Sequence, residues 1–500
     1  MRKKLLYPLL ASCLFACSDK DTSYEVVKND LRAPAYPLVT IDPYASAWSM
    51  SDNLYDSPVR HWTGKDFPLI GVVKVDGVSY RFMGTEELEM NAIVPTSQQG
   101  EWTGRYITDK PAGDWTSADY NDSGWKSDRG AFGTKENEPT AKTQWGTRNI
   151  WVRRTVNIDR DLTGIPVYLE FSNDDDAVFY INGVKIHSTG TTCNKNKVVK
   201  LSDEALAALK QGDNIIAAEC INPVGNGLLD FGLQIPKHQE TVFGNTAVQT
   251  SADVQPMQTH YAFTCGDVDL KVTFTAPLFM EDLKLLSRPV NYLTYSVAAR
   301  DGKEHDVEVY FEASPRWALD QPYQQSASKG YEADGLLYLK SGSKEQNILA
   351  KQGDDLRIDW GYFYMVAGKE NTAYSVGNST ELRKNFVNGT LNSASLEGED
   401  SNGNMALVRS YGKVKNVTDK IILGYDDIYS IQYFGTNLRP YWNSKGDRTI
   451  EAEMLAAYNE YDKLLVRCYA FDKKLMEDAS AAGGKEYAEL CALAYRQSIA

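Results

Sequence analysis

Apolar and polar residues alternate along most of the chain, the period of two that puts one set of side chains on a buried sheet face. Residues 72–82 carry β-branched side chains on either side of Asp76-Gly77, a strong hairpin signal. Residues 150–156, 167–171 and 177–186 repeat the pattern, the last around Asn182-Gly183, a type I′ turn pair. Residues 248–254, 260–265, 268–275, 292–298 and 306–312 alternate in the same way. Turn residues separate these runs at short intervals, which predicts antiparallel sandwiches. Past residue 447 the period lengthens. Met454, Tyr458, Tyr461, Leu465 and Cys468 recur at three- and four-residue steps, one apolar helix face. Asp447 or Thr449 can cap this helix, with Glu451 and Glu453 in its first turn. Ala482-Gly483-Gly484-Lys485 predicts a break, and residues 486–500 a second helix through Leu490 and Ala494. The expected fold is therefore mainly β with a C-terminal α segment.

The texture shifts near residue 95. Asp114-Trp115, Tyr120 through Trp125, Gly133-Thr134, the strand at 150–156, the Asn182-Gly183 hairpin and the late strand before Cys220 follow one another in order. That order resembles galactose-binding-like jelly rolls. It implies an inserted domain over residues 98–236, with a large sandwich before it at 31–97 and resuming at 246–420. Trp115, Trp125 and Trp145 could stack on a glycan, although Trp more often serves a core. Asp174-Asp175-Asp176 offers oxygen ligands for calcium, but consecutive carboxylates on a turn read first as solvated. No metal site and no cofactor is expected.

Residues 423–442, between the sheet-like and helical parts, hold four Tyr, one Trp, the Asp426-Asp427 pair and Arg439. This stretch resembles the glutaminase A family, fungal-type glutaminases and their bacterial relatives. So do residues 44–64, 285–292, Pro315-Arg316-Trp317 and 358–364. The resemblance implies a large sandwich (a supersandwich) leading into an (α/α) toroid. Residues 421–500 would then be the junction and the first helical hairpin. The last residues carry no C-cap signal, so the helical domain is expected to be truncated and this chain inactive alone. The implied activity is hydrolysis of the side-chain amide of glutamine to glutamate and ammonia. An alternative is a glycoside hydrolase or a glycan-binding surface lipoprotein.

Candidate chemistry gathers in two places. Residues 44–64 read as a long loop, and Arg60, His61 and Trp62 offer a cation, a titratable base and a stacking face. The other reading has them tying the loop to the sandwich. If residues 421–434 form one strand, Tyr425, Asp427, Tyr429 and Tyr433 share a face, and Asp426, Ser430 and Gln432 share the other. Asp427, with aromatic company, is then favoured to meet a polar substrate. Asp426 serves instead if the strand ends at Tyr425, and an N-cap or interface ion pair is the structural reading. The candidate catalytic residues are Asp427, Asp426 and His61. The candidate substrate contacts are Arg60, Trp62, Tyr429, Tyr433, Arg439 and Trp442. No Ser-His-Asp elbow, zinc motif or P-loop is present. Arg288, before Pro289, reads as a strand-edge ion pair or a carbonyl cap rather than a ligand clamp.

Net charge narrows the partners. At −14, with no long basic run, the chain is a poor ligand for nucleic acid. Met1-Arg2-Lys3-Lys4 followed by an apolar run to Ala16 reads as a signal peptide, residues 1–17. Leu14-Phe15-Ala16-Cys17 resembles a lipobox, which makes Cys17 the lipidated N-terminus and residues 18–30 a tether. The expected location is the cell envelope of a Gram-negative bacterium, as a periplasmic or outer-surface lipoprotein anchored by lipid to the outer or cytoplasmic membrane. The expected partner there is glutamine, as a small polar substrate, or a glycan. Cys193, Cys220, Cys265, Cys468 and Cys491 show no paired spacing and are expected to be small buried apolar residues.

Overall fold

A computed structural model describes residues 27–86, 90–137, 140–237, 241–322, 324–353, 356–391 and 403–499. Cys17 and the lipobox lie outside the described residues. The chain forms two compact units, Met1–Glu86 with Val242–Ala500, and Glu87–Thr241.

The first unit is built on two sheets. The larger has eight antiparallel strands in the order Val248–Val254, Gln258–Cys265, Val268–Thr275, Val290–Ala299, Asn416–Asp426, Tyr362–Gly368, Leu336–Ser343, Ser326–Ala333. The smaller runs Asn245–Thr246, Val78–Met83, Leu69–Val75, His305–Ala313, Asn404–Val414, Thr372–Gly377. Val73, Phe311 and Leu407 of the smaller sheet meet Phe263, Val272, Tyr295 and Leu423 of the larger in one core. The strict period of two decides the other faces. On Asn416–Asp426, Ile421, Leu423 and Tyr425 enter that core, whereas Ile422 faces the opposite way.

Both outer faces are covered by helix. Helix Ser379–Val387, capped by Asn378, lays Leu382 and Phe386 on Ile70, Val72 and Tyr310 of the smaller sheet. The long C-terminal helix Ile450–Arg496 covers the larger sheet, where Met454, Ala457, Tyr461, Leu464 and Cys468 pack on Tyr292, Tyr338, Tyr364 and Ile422. Thr449 caps it, its hydroxyl accepting from the Ala452 N–H. The buried face uses Ala457 and Leu464, with Tyr458 and Leu465 at its margin. Gly484 breaks the helix with φ +83°. The second segment folds back, setting Ala488 and Ala492 against Met476 and Ala479. The expected hairpin is therefore present, and its apolar face is buried on the sandwich. Of the two roles open to Arg288, an ion pair or a carbonyl cap, the structure shows ion pairs, with Glu453 at 3.3 Å and Glu460 at 2.8 Å.

The second unit packs two six-stranded sheets around Val152, Phe171, Phe179, Ala218 and Phe231. Strand Met90–Val94 pairs with Leu228–Pro236 in this unit, so its sheet begins before residue 98. Arg154 is buried, donating to the Phe231 carbonyl at 2.8 Å with its guanidinium over Trp102. Cys220, Cys265 and Cys468 are buried as expected, but Cys193 is exposed, at the end of an edge hairpin.

Candidate functional site

Strand Asn416–Asp426 ends at Asp426, which pairs with Tyr362. The next two residues leave the sheet sharply, and Ile428 adopts φ +58°. A β-branched residue rarely accepts that left-handed conformation. The chain then turns into a short exposed hairpin, Ile431–Tyr433 with Thr436–Leu438. The single strand over residues 421–434 is thus not formed. Its alternation holds through Asp427 and fails after it, so Ser430 comes beside Asp427 instead of facing away.

Asp427 is 4% exposed. Its carboxylate accepts the Ser430 hydroxyl. Burial, and secondarily the charges of Asp42 and Asp426, push its carboxyl up to about 7. Asp42 lies in the turn between strands Tyr36–Thr40 and Ser46–Ser49 and accepts from the backbone N–H groups of Tyr44 and Ala45. Burial raises its carboxyl too. The Tyr44 hydroxyl donates to the Ser430 carbonyl at 3.2 Å, and its ring meets Trp360 edge-on. Trp360 donates from its indole to the Tyr429 carbonyl at 3.0 Å. Two carboxyls of raised proton affinity thus lie among hydroxyl and indole donors, and neither could have been paired with the other from the sequence.

Residues 44–64 are not one long loop: Ser46–Ser49 pairs with both Tyr36–Thr40 and Arg60–His61 in a small three-stranded sheet, and residues 60–63 join this cluster through Pro43. His61 Nε2 and Trp62 Nε1 both donate to the Pro43 carbonyl, at 3.0 and 2.9 Å. His61 Nδ1 accepts from the Thr63 N–H and hydroxyl. Both ring nitrogens of His61 therefore serve this segment's own scaffold, and the side chain is 1% exposed. Trp62 is 53% exposed. Arg60 pairs with Asp66 at 3.2 Å.

Asp426 faces the other side of the sheet, toward Lys340, Glu451 and Arg439, and burial raises its carboxyl above the ordinary range. The Arg439 guanidinium lies 5.0 Å from the Tyr429 ring centre. Tyr433 stands exposed on the hairpin beside Phe434. Trp442 is buried under the C-terminal helix. Of the candidate contacts, Tyr429 and Arg439 stay at the junction, Trp62 reaches it through Pro43, and Trp442 belongs to the core.

In the second unit, Trp145 is buried, and Trp115, Tyr120 and Trp125 form a half-buried aromatic group. Burial, with Asp175 adjacent, pushes the Asp174 carboxyl up to about 6.

A mainly β protein of sandwich units with a helical cover, carrying buried carboxyls at the sheet–helix junction, is the class these features define. Residues 257–478 match a family described as Domain of unknown function (DUF5127), and residues 9–95 match Domain of unknown function (DUF4964). The chain is similar to glutaminase A of Aspergillus oryzae, 27% identical over 273 residues. That match takes in 51% of this chain and 39% of the relative's length. Among solved structures, it overlaps β-glucuronidase 2 of Bacteroides uniformis at TM-score 0.25 and 12% identity, covering 57% of this chain and 31% of that one. A glycosyl hydrolase family 2 member of Bacteroides cellulosilyticus overlaps at TM-score 0.23 and 14% identity, covering 56% and 36%. Overlaps of that size carry no functional implication.

Proposed function

We propose that this chain is the sandwich portion of a glutaminase-A-type amidohydrolase, and that Asp427 handles protons at its amide site. The observation that carries the reading is the similarity to glutaminase A across half of the chain. Hydrolysis adds water to the side-chain carbonyl of glutamine, breaks the C–N bond and releases ammonia, which needs a proton taken from water and one given to the nitrogen. A carboxyl titrating at about 7 can do both in turn near neutral pH. Ser430 holds one of its oxygens in place. Tyr44 and Asp42 supply the neighbouring wall. In the same proposal Cys17 carries lipid and tethers the protein to the cell envelope.

The test is calorimetric titration of L-glutamine into the protein, with ammonia release followed in parallel. The expected result is glutamine binding that Asp427→Asn weakens at least tenfold. Binding of oligosaccharides with no binding of glutamine would overturn the assignment.

A further inference from the structure

On the outer face of the eight-stranded sheet, beyond the start of the C-terminal helix, lies a cavity of about 220 Å³. It is lined by Ala327, Ser328, Lys329, Lys340 and Tyr362. Lys329 and Lys340 are direct cross-strand partners, joined by the two-residue turn at Asp334-Gly335. Like charges placed opposite each other on one face repel, at a cost of a few tenths of a kcal/mol or more. Neither lysine forms an ion pair among the described residues. The Lys340 ammonium rests instead 3.5 Å from the centre of the Tyr362 ring, and Lys329 lies 5.6 Å from that of Tyr331. The acids that face Lys340 are Glu451 and Asp426. Glu451 is taken up by the Tyr331 hydroxyl at 2.7 Å. Two of the lining residues, Ala327 and Ser328, are small, and a Cβ on Gly342 would fall 2.5 Å from the Tyr362 ring, so glycine there lets that ring lie close against the strand.

We propose that this cavity is a binding site for a compact oxyanion, a carboxylate, sulfate or phosphate group, held between the ammonium groups of Lys329 and Lys340 above the Tyr362 ring. Two lysines that line one cavity and form no ion pair among the described residues present charge that an oxyanion neutralises. The burial and the neighbouring Lys329 that lower the proton affinity of Lys340 would be offset by such a ligand. The inference stands apart from amide hydrolysis, because it uses neither Asp427 nor residues 42–63.

The experiment is calorimetric titration of the whole chain at constant ionic strength with sodium sulfate, sodium phosphate, L-glutamate and glucuronate, each against sodium chloride. Saturable binding of at least one oxyanion is expected, and the tightest of the four identifies the source of the group. Lys329→Gln and Lys340→Gln should each weaken it about tenfold, and Lys284→Gln, an exposed lysine elsewhere on the same unit, should leave it unchanged. Ala327→Leu keeps both charges and fills the cavity, so it should abolish binding while the thermal transition persists. Absence of saturation with all four anions would overturn the proposal. So would binding that survives Ala327→Leu or the double lysine substitution.

Discussion

The Cβ that Gly361 lacks would lie 2.1 Å from the carbonyl oxygen of Asp426 and 3.0 Å from the Cα of Asp427. Gly361 also holds φ +71°, and its N–H donates to Gln346 at 2.8 Å. Both the close approach and the left-handed backbone require glycine. Gly361→Ala should lower stability by about 1–3 kcal/mol and displace the Asp426-Asp427 pair. Gly377→Ala, where an added Cβ meets nothing within 4 Å, is the control expected to cost at most about 0.5 kcal/mol. Urea unfolding of the two variants checks this.

Asp427 sets a pH dependence with a definite sign. Its carboxyl titrates at about 7 when folded against the model-peptide value of 3.8. Between those values the folded state binds the additional proton, so stability falls as pH rises from about 4 to about 7. The total amounts to roughly 4 kcal/mol, at about 1.4 kcal/mol per pH unit. Asp427→Asn keeps the shape of the protonated acid and removes the titration. The wild type minus variant difference in unfolding free energy should therefore decline across that window and level off above it. A flat difference would show that Asp427 titrates in its ordinary range.

Arg383 and Glu312 are bonded through both ends of the guanidinium fork, Nε to Oε2 at 2.8 Å and Nη2 to Oε1 at 2.7 Å. Tyr310 and Asn404 donate to the same carboxylate, each at 2.7 Å. Arg383→Met leaves a buried carboxylate without its cation and should cost about 3–5 kcal/mol. Adding Glu312→Gln should recover part of that loss, as read by thermal unfolding of the single and double variants.

In the second unit Arg153 organises the loop that bears Trp115 and Trp125. It pairs with Asp122 at 2.8 Å and donates to the carbonyls of Trp115 and Ser117. Arg153→Ala should free residues 114–125 and make them the first site of limited proteolysis. Arg153→Lys should not restore protection, because an ammonium lacks the planar fork that spans these acceptors.

The sheets were legible because each strand carries its own period of two, and because Asp76-Gly77 and Asn182-Gly183 take the positive φ angles that their residue types favour. The helix break at Gly484 was legible for the same local reason. The junction was legible only as far as Asp427. Nothing in its residue types marks Ile428 as left-handed, so the alternation that would turn Ser430 away from Asp427 holds only if the strand continues, and it ends at Asp426. The charge of Asp42 reaches Asp427 only because the fold brings distant segments together, and the cavity at Lys329 and Lys340 needs Tyr362 from a further strand. Neither leaves a pattern along the chain. The buried helix face takes in Ala457 and Leu464, with the expected Tyr458 and Leu465 at its margin; Ala457 fits where helix and sheet come close. Gly424, where a Cβ would fall 2.4 Å from the Met454 methyl, shows how close that approach is.

Arg496, fully buried near the end of the final helix, donates to the Leu38 carbonyl at 2.8 Å and to the Thr40 hydroxyl, the latter 456 positions back along the chain. A polypeptide made from its N-terminus cannot close this clasp until residue 496 has been synthesised. The first strands must wait, with Leu38 and Thr40 unlatched, through the making of an entire intervening unit. Closure of these first strands is thus tied to the arrival of the helical turn that carries Arg496, a contact of high sequence separation, and such closures form slowly.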